Sequence, residues 1–243
     1  MDSANLNYMP VKGYFSIVIA AILMGSGGIV GTVLFNLGLE PLDVVTLRFS
    51  TAALVLAIIL ACVKKESFRI EKKDILLLML AAFLGITSLF SLFFYAVQQT
   101  NVASASILVY TAPAFIVIIS YYKLKEPLSL VKVISLFLTF LGCFLISGGY
   151  NFKILQFNLL GYAAGVGAGL SYAIYVVITK LLLTKYSQWT LLLYSLLFGS
   201  SFLLVLKPPW RLLNRGFPTE VWVITVYMAL VITLLAFSLI WQG

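Results

Sequence analysis

Eight apolar stretches dominate this chain, at positions 14–37, 42–63, 75–98, 102–122, 130–147, 159–183, 189–206 and 221–241. Each runs to about 18 to 25 residues, and a helix needs about 20 mostly apolar residues to cross the hydrocarbon core of a bilayer. Backbone amides and carbonyls find no water there, so a segment this apolar crosses as a helix that bonds its own backbone. The spacing predicts an all-α, polytopic membrane helix bundle of about eight transmembrane helices, multi-pass in the cell membrane with the lipid bilayer as its solvent. Connections such as Gln99-Thr100-Asn101 are short, which makes consecutive helices antiparallel neighbours. The first stretch is longer than the roughly 7 to 15 residues of a signal-peptide core and is expected to stay as a helix.

Composition removes most other classes. Of 243 residues, 62% are hydrophobic and 10% charged, against roughly 45–50% and 25% in soluble domains. A net charge of +8 in so apolar a chain reads as loop charge, so no nucleic acid is expected as a partner. With the N-terminus in the cytoplasm, eleven of the 16 Lys and Arg fall in inside segments and four outside, and Arg48 lies within the second stretch. The loop bearing Lys207, Arg211 and Arg215 dissents, and its Pro208-Pro209-Trp210 reads as an interfacial segment. The chain contains no histidine, which removes Ser-His-Asp and Cys-His catalysis and His-based zinc sites. Cys62 and Cys143 sit in separate apolar runs, so neither a disulfide framework nor a metal site is expected, and no cofactor is called for. The acids Asp2, Glu40, Asp43, Glu66, Glu71, Asp74, Glu126 and Glu220 all lie in loops or at the ends of runs. No carboxylate stands at mid-membrane for acid–base chemistry, and the chain is not expected to be an enzyme.

Laid on itself at an offset of about 148 residues, the chain repeats weakly. Gly13-Tyr14 opens the first stretch and Gly161-Tyr162 the sixth, each followed by a helix rich in small residues. Five helices separate the two starts, and an odd number inverts the second copy. Residues 1–150 form a first five-helix repeat, and 151–243 hold the first three helices of a second, incomplete one. Inverted repeats of this kind characterise secondary transporters.

Several segments carry a resemblance. Leu23-Met24-Gly25-Ser26, Leu47-Arg48-Phe49, and Tyr95-Ala96 leading through Val102-Ala103-Ser104-Ala105-Ser106 to Pro113 and Glu126-Pro127 are similar to the pattern of ten-helix EamA-type permeases of the drug/metabolite transporter superfamily. Gly161 to Lys180, and Leu234, Ala236 and Phe237 through Trp241, look like the restart of that pattern. The resemblance implies a permease exporting or importing a small metabolite. Against the ten-helix pattern the second copy lacks its last two helices, with counterparts of Pro113 and Glu126; a shortened chain and a natural eight-helix variant both fit.

Polar residues within membrane helices are costly unless they face protein or water, so shared faces are informative. Ser88, Ser91, Tyr95 and Gln98 share one face of the third helix, and Ser106, Tyr110 and Pro113 one face of the fourth. Tyr172, Tyr175 and Thr179 stripe the sixth, and Gly28, Thr32 and Asn36 the first. The four stripes either bond helix to helix or line one cavity; their convergence favours a cavity that binds substrate and opens on the outer side. Arg48, about 10 Å in from Pro41 at 1.5 Å per residue, either snorkels to the headgroups or offers a fixed cation to a substrate carboxylate or phosphate. Pro113 should kink the fourth helix and free the Val109 carbonyl. Glu126 is an interfacial pair, a helix stop or a gating contact. Gly27-x-x-x-Gly31 and Gly161-x-x-x-Gly165-x-x-x-Gly169 let helices approach closely. The sum is a permease moving a small organic metabolite, amino-acid-like solutes among the candidates, by alternating access; a non-transporting scaffold or receptor-like membrane protein is the alternative, and self-association into a homo-oligomer is compatible with either.

Overall fold

The computed structural model describes residues 11–124, 129–146, 159–208, 211–212 and 214–240. Lys125, Glu126, Pro127, Lys153, Pro209 and Trp210 lie outside these, as does the expectation placed on Glu126. Among the described residues there are eight main helices and no strands. We label them α1 (Val11–Asn36), α2 (Pro41–Val63), α3 (Lys72–Gln99), α4 (Val102–Tyr122), α5 (Leu130–Ile146), α6 (Leu159–Leu182), α7 (Gln188–Leu206) and α8 (Thr219–Leu239). Seven are long and apolar enough to cross a membrane. The eighth, α5, has 17 residues, about 26 Å at 1.5 Å per residue and short of the roughly 30 Å core.

Local chemistry sets the helix ends. Glu40 and Asp43 form a reciprocal capping box at the start of α2, with Pro41 in the first turn. Just before it Gly38 takes φ +89°, a left-handed turn that lets α1 reverse into α2. The Asn101 side chain accepts from the Ser104 amide at 2.8 Å to open α4, and Ser187 accepts from Thr190 at 3.2 Å to open α7.

Two helices break the regular winding in the same way. Phe83–Ser88 of α3 and Met228–Leu235 of α8 are wound as wider i→i+5 turns, rare geometry concentrated at functional sites. The two lie at nearly the offset that separates Gly13 from Gly161. In α3 the wide turn packs on α6 and α7; in α8 it packs on α1 and α2.

Helices in lipid gain little from hydrophobic association, so small residues decide where they approach. A Cβ on Gly165 would stand 2.5 Å from Leu108, and one on Gly169 2.6 Å from the Thr111 hydroxyl, which is how α6 seats α4. Gly31 seats the fully buried ring of Phe94 and Gly28 seats Val102. A main core of Phe49, Phe94, Leu192, Leu196, Met228 and Ile232 joins α2, α3, α7 and α8. Ile22, Leu76, Phe137 and Val205 are more than half exposed on the outer faces, as lipid-facing residues are.

Candidate functional site

A cavity of about 560 Å³ opens inside the bundle, lined from α1, α2, α3, α4, α6 and α8. Its wall is mostly apolar: Met24, Ile86, Leu89, Phe90, Phe93 and Phe237, with Gly27, Gly28 and Gly85 where a side chain would intrude. One buried charge enters it. Arg48, 4% exposed, donates from Nε to the Thr233 hydroxyl of α8 at 2.8 Å. The Thr233 hydroxyl spends its own proton on the Met228 carbonyl at 3.0 Å, within the wide turn of α8. The guanidinium lies 4.9 Å from the Phe49 ring centre and 5.2 Å from that of Phe90, cation–π contacts that offset part of its lost hydration. No carboxylate reaches it among the described residues, and its terminal nitrogens hold no hydrogen bond there. Gly27 of α1 faces them: a Cβ there would stand 3.7 Å from one Nη, at ordinary van der Waals distance.

The opposite wall is aromatic. The Tyr172 and Tyr175 rings of α6 lie 6.5 Å apart, tilted by 30°. Tyr175 fits because residue 85 is glycine; a Cβ would stand 2.3 Å from its ring. From Arg48 the lining runs along α6 through Val176 and Thr179 to Lys180 and Leu183, the end carrying the α2–α3 and α6–α7 connections. The sequence reading expected a vestibule in the opposite, outer half; α6 descends from Tyr172 toward Leu183, and the cavity follows it.

The predicted site residues divide accordingly. Arg48, Tyr172 and Tyr175 line the cavity. Ser91, Tyr95, Gln98, Ser106 and Tyr110 do not: the Ser91 hydroxyl is buried with no hydrogen-bond partner among the described residues, Tyr95 and Gln98 are exposed, and Tyr110 is 60% exposed, flanking Tyr172. The face α3 offers is the neighbouring one of Gly85, Leu89 and Phe93, and Ser88 instead shares a hydrogen bond with Ser171 of α6 at 2.9 Å. The winding changes just before Pro113. The fourth helix breaks at Tyr110 and Thr111 and restarts at Ala112. The Val109 carbonyl is turned against Gly169 of α6, 3.2 Å from where a Cβ would stand. Phe90, Phe93 and Thr233 were not anticipated. The phenylalanines look like any lipid-facing aromatics in sequence, and nothing local links Thr233 to Arg48 across 185 positions.

At each end of the bundle an ionic cluster joins the first half of the chain to the second. At one end Arg215 bonds buried Asp43 at 2.8 Å, and Lys207 pairs with Glu40 and stands 3.3 Å from Asp43. The Lys207 hydrogen bond and charge hold the Glu40 carboxyl below its ordinary value of 4.5, and Glu40 in turn raises Lys207. At the other end Lys185 bonds Asp74, which also accepts from Tyr186, and pairs with Glu71 at 2.8 Å. Desolvation lowers Lys185, but its bonds to Asp74 and Glu71 outweigh it and leave the ammonium above its usual range. Two of the dissenting loop charges, Lys207 and Arg215, are thus matched by acids at the start of α2.

Residues 11–148 match the EamA-like transporter family. The chain belongs to that family. It is 29% identical over 241 residues to the uncharacterized transporter YetK of Bacillus subtilis (strain 168), covering 95% of this chain and 71% of YetK. An uncharacterized transporter of Archaeoglobus fulgidus is 32% identical over 192 residues, 79% of this chain and 65% of that protein. The chain thus spans about two thirds of the length of these relatives. A solved crystal structure shares the fold with a TM-score of 0.64 over 96% of this chain and 77% of its own, at 16% identity. The membrane helix bundle is therefore an EamA-family transporter fold with a cavity at Arg48.

Proposed function

We propose that this EamA-family chain carries a small organic solute across the cell membrane by alternating access, with Arg48 as the fixed cation that receives the solute's anionic group. The observation that carries the proposal is a buried guanidinium, reached by no acid among the described residues, on the wall of a cavity lined from both halves of the chain. A charge this deep is expensive unless it is used. The apolar and aromatic wall suits the body of an organic solute better than a bare ion. The paired wide turns in α3 and α8 support two inverted repeats, 1–150 and 151–243, rocking about the site. The ionic clusters serve as gates, one at each end, each tying one repeat to the other. No covalent step enters this mechanism.

The N-terminus is placed in the cytoplasm. Lys64, Lys65, Arg69, Lys72 and Lys73 crowd the α2–α3 connection, while Lys207 and Arg215 at the opposite end are held by acids. On this placement the cavity runs toward the cytoplasm.

The test needs no knowledge of the solute. Paired cysteines replacing Asp74 and Lys185, or Glu40 and Lys207, are oxidised to lock one end or the other in vesicles of known orientation. A reporter Val176→Cys is then probed with a membrane-impermeant thiol reagent from each side. Alternating access requires each lock to close the reporter to its own side and leave it reachable from the other. Identical access under both locks refutes it and leaves a static scaffold.

A further inference from the structure

The cavity at Arg48 has a neighbour. A second cavity of about 560 Å³ lies at the end of the bundle that carries the α2–α3 and α6–α7 connections, its lining including Lys64, Leu183, Tyr186, Gln188, Trp189 and Ser238. Leu183 lines both cavities, and Phe237 of the first is next in sequence to Ser238 of the second. We infer that the second cavity is a separate solute station at the mouth of the path, taking small organic anions with the charge on Lys64 and the apolar body on Trp189. This rests on the reading of the first cavity as the transport site.

The second wall repeats the chemistry of the first in a milder form. Around Arg48 a cation stands among aromatic rings; in the second cavity the Lys64 ammonium shares the lining with the Trp189 indole and the Tyr186 ring. Both groups are set by the fold. Lys64 closes α2, its backbone N–H bonded to the Leu60 carbonyl at 2.8 Å, and Trp189 is half-buried against the main core. Lys64 forms no ion pair among the described residues, whereas Lys73 and Lys185 at the same end are taken up by Glu71 and Asp74. Lys64 is exposed where Arg48 is buried, so it keeps its hydration and holds an anion weakly. Weak holding suits a station that fills and empties beside a deeper, firmer site. Tyr186 ties the station to the ionic cluster: its hydroxyl accepts from the Glu71 amide at 3.1 Å and donates to Asp74. A solute resting on the Tyr186 ring therefore lies against a member of that gate.

The experiment places a reporter Gln188→Cys in the second cavity, in a Cys62→Ala/Cys143→Ala background. The thiol is modified with uncharged methyl methanethiosulfonate while phenylacetate or phenylacetamide, alike in shape and different in charge, competes. The expected result is saturable protection by millimolar phenylacetate and about fivefold weaker protection by the amide, the ordinary worth of one exposed ion pair. Lys64→Gln should erase that difference and Lys64→Arg should keep it, which separates charge from misfolding. Arg48→Gln should leave the protection as it was, because the second cavity binds on its own. Equal protection by the amide, indifference to Lys64→Gln, loss of protection in Arg48→Gln, or no protection at all overturns the inference. None of these outcomes touches the transporter reading, which stands or falls on whether the two locks switch the side from which Val176→Cys is reached. Protection at Gln188→Cys with no such switch leaves a peripheral anion site and overturns the station on a transport path.

Discussion

Arg48 is the residue on which function and stability pull apart. Its guanidinium is buried and no acid among the described residues reaches it, so removing it also removes a desolvation cost. Arg48→Gln is expected to change thermal stability by less than about 1 kcal/mol, near the ordinary run of substitutions, while solute binding measured by thermal shift is lost. Thr233→Val should do the reverse. It keeps the shape of the side chain but strips the acceptor from Arg48 Nε, leaving a buried donor unmade at a cost of about 1–3 kcal/mol; a melting curve of the two variants side by side decides. The sequence exposed Arg48, because one charge inside an apolar run stands out. It also exposed Tyr172 and Tyr175 through their helical spacing. It did not separate them from Tyr95 and Tyr110, since period alone states which residues share a face and not which way that face is turned.

At the scale of the helix, hydropathy made the bundle legible almost to the residue: the membrane runs at 42–63 and 189–206 end where α2 and α7 do. The wide turn of α3 was invisible, because the amino acids of Phe83–Ser88 differ in no obvious way from those of a regular helix. That turn shifts the face following it, so Gly85, Leu89 and Phe93 meet the cavity where Ser91, Tyr95 and Gln98 were expected. Glycines within the helices give a sharp comparison. Gly31→Ala would drive a methyl to within 2.2 Å of the Phe94 ring, which is fully buried, and should cost about 1–3 kcal/mol. Gly25→Ala meets nothing within 4 Å and should be neutral or stabilising by up to about 1 kcal/mol through helix propensity. Both are read by thermal unfolding in the same detergent.

For the whole molecule, the two ionic clusters determine how the halves respond to pH. The Glu40 carboxyl is depressed in the folded chain, so its contribution is present above 4.5 and is lost as the pH falls through the lowered value. Lys207 is raised, so its contribution is present below 10.5 and is lost as the pH rises through the higher value. Closure of the Asp43 end should thus be flat across neutral pH and loosen only in acid, below 4.5. Cross-linking yield between cysteines introduced at Leu39 and Arg211 at graded pH would follow it, and a yield already falling at pH 6 would contradict this assignment. At this scale Gly13-Tyr14 and Gly161-Tyr162 offered the expectation of an inverted pair; the clusters were not legible, because they join connections far apart in sequence.

The wide turns also bear on how much chain a membrane span can hold. An i→i+5 turn takes one residue more than an α-turn, so α3 and α8 each accommodate extra length without unwinding. Both place that slack in mid-helix, against neighbouring helices rather than at a helix end.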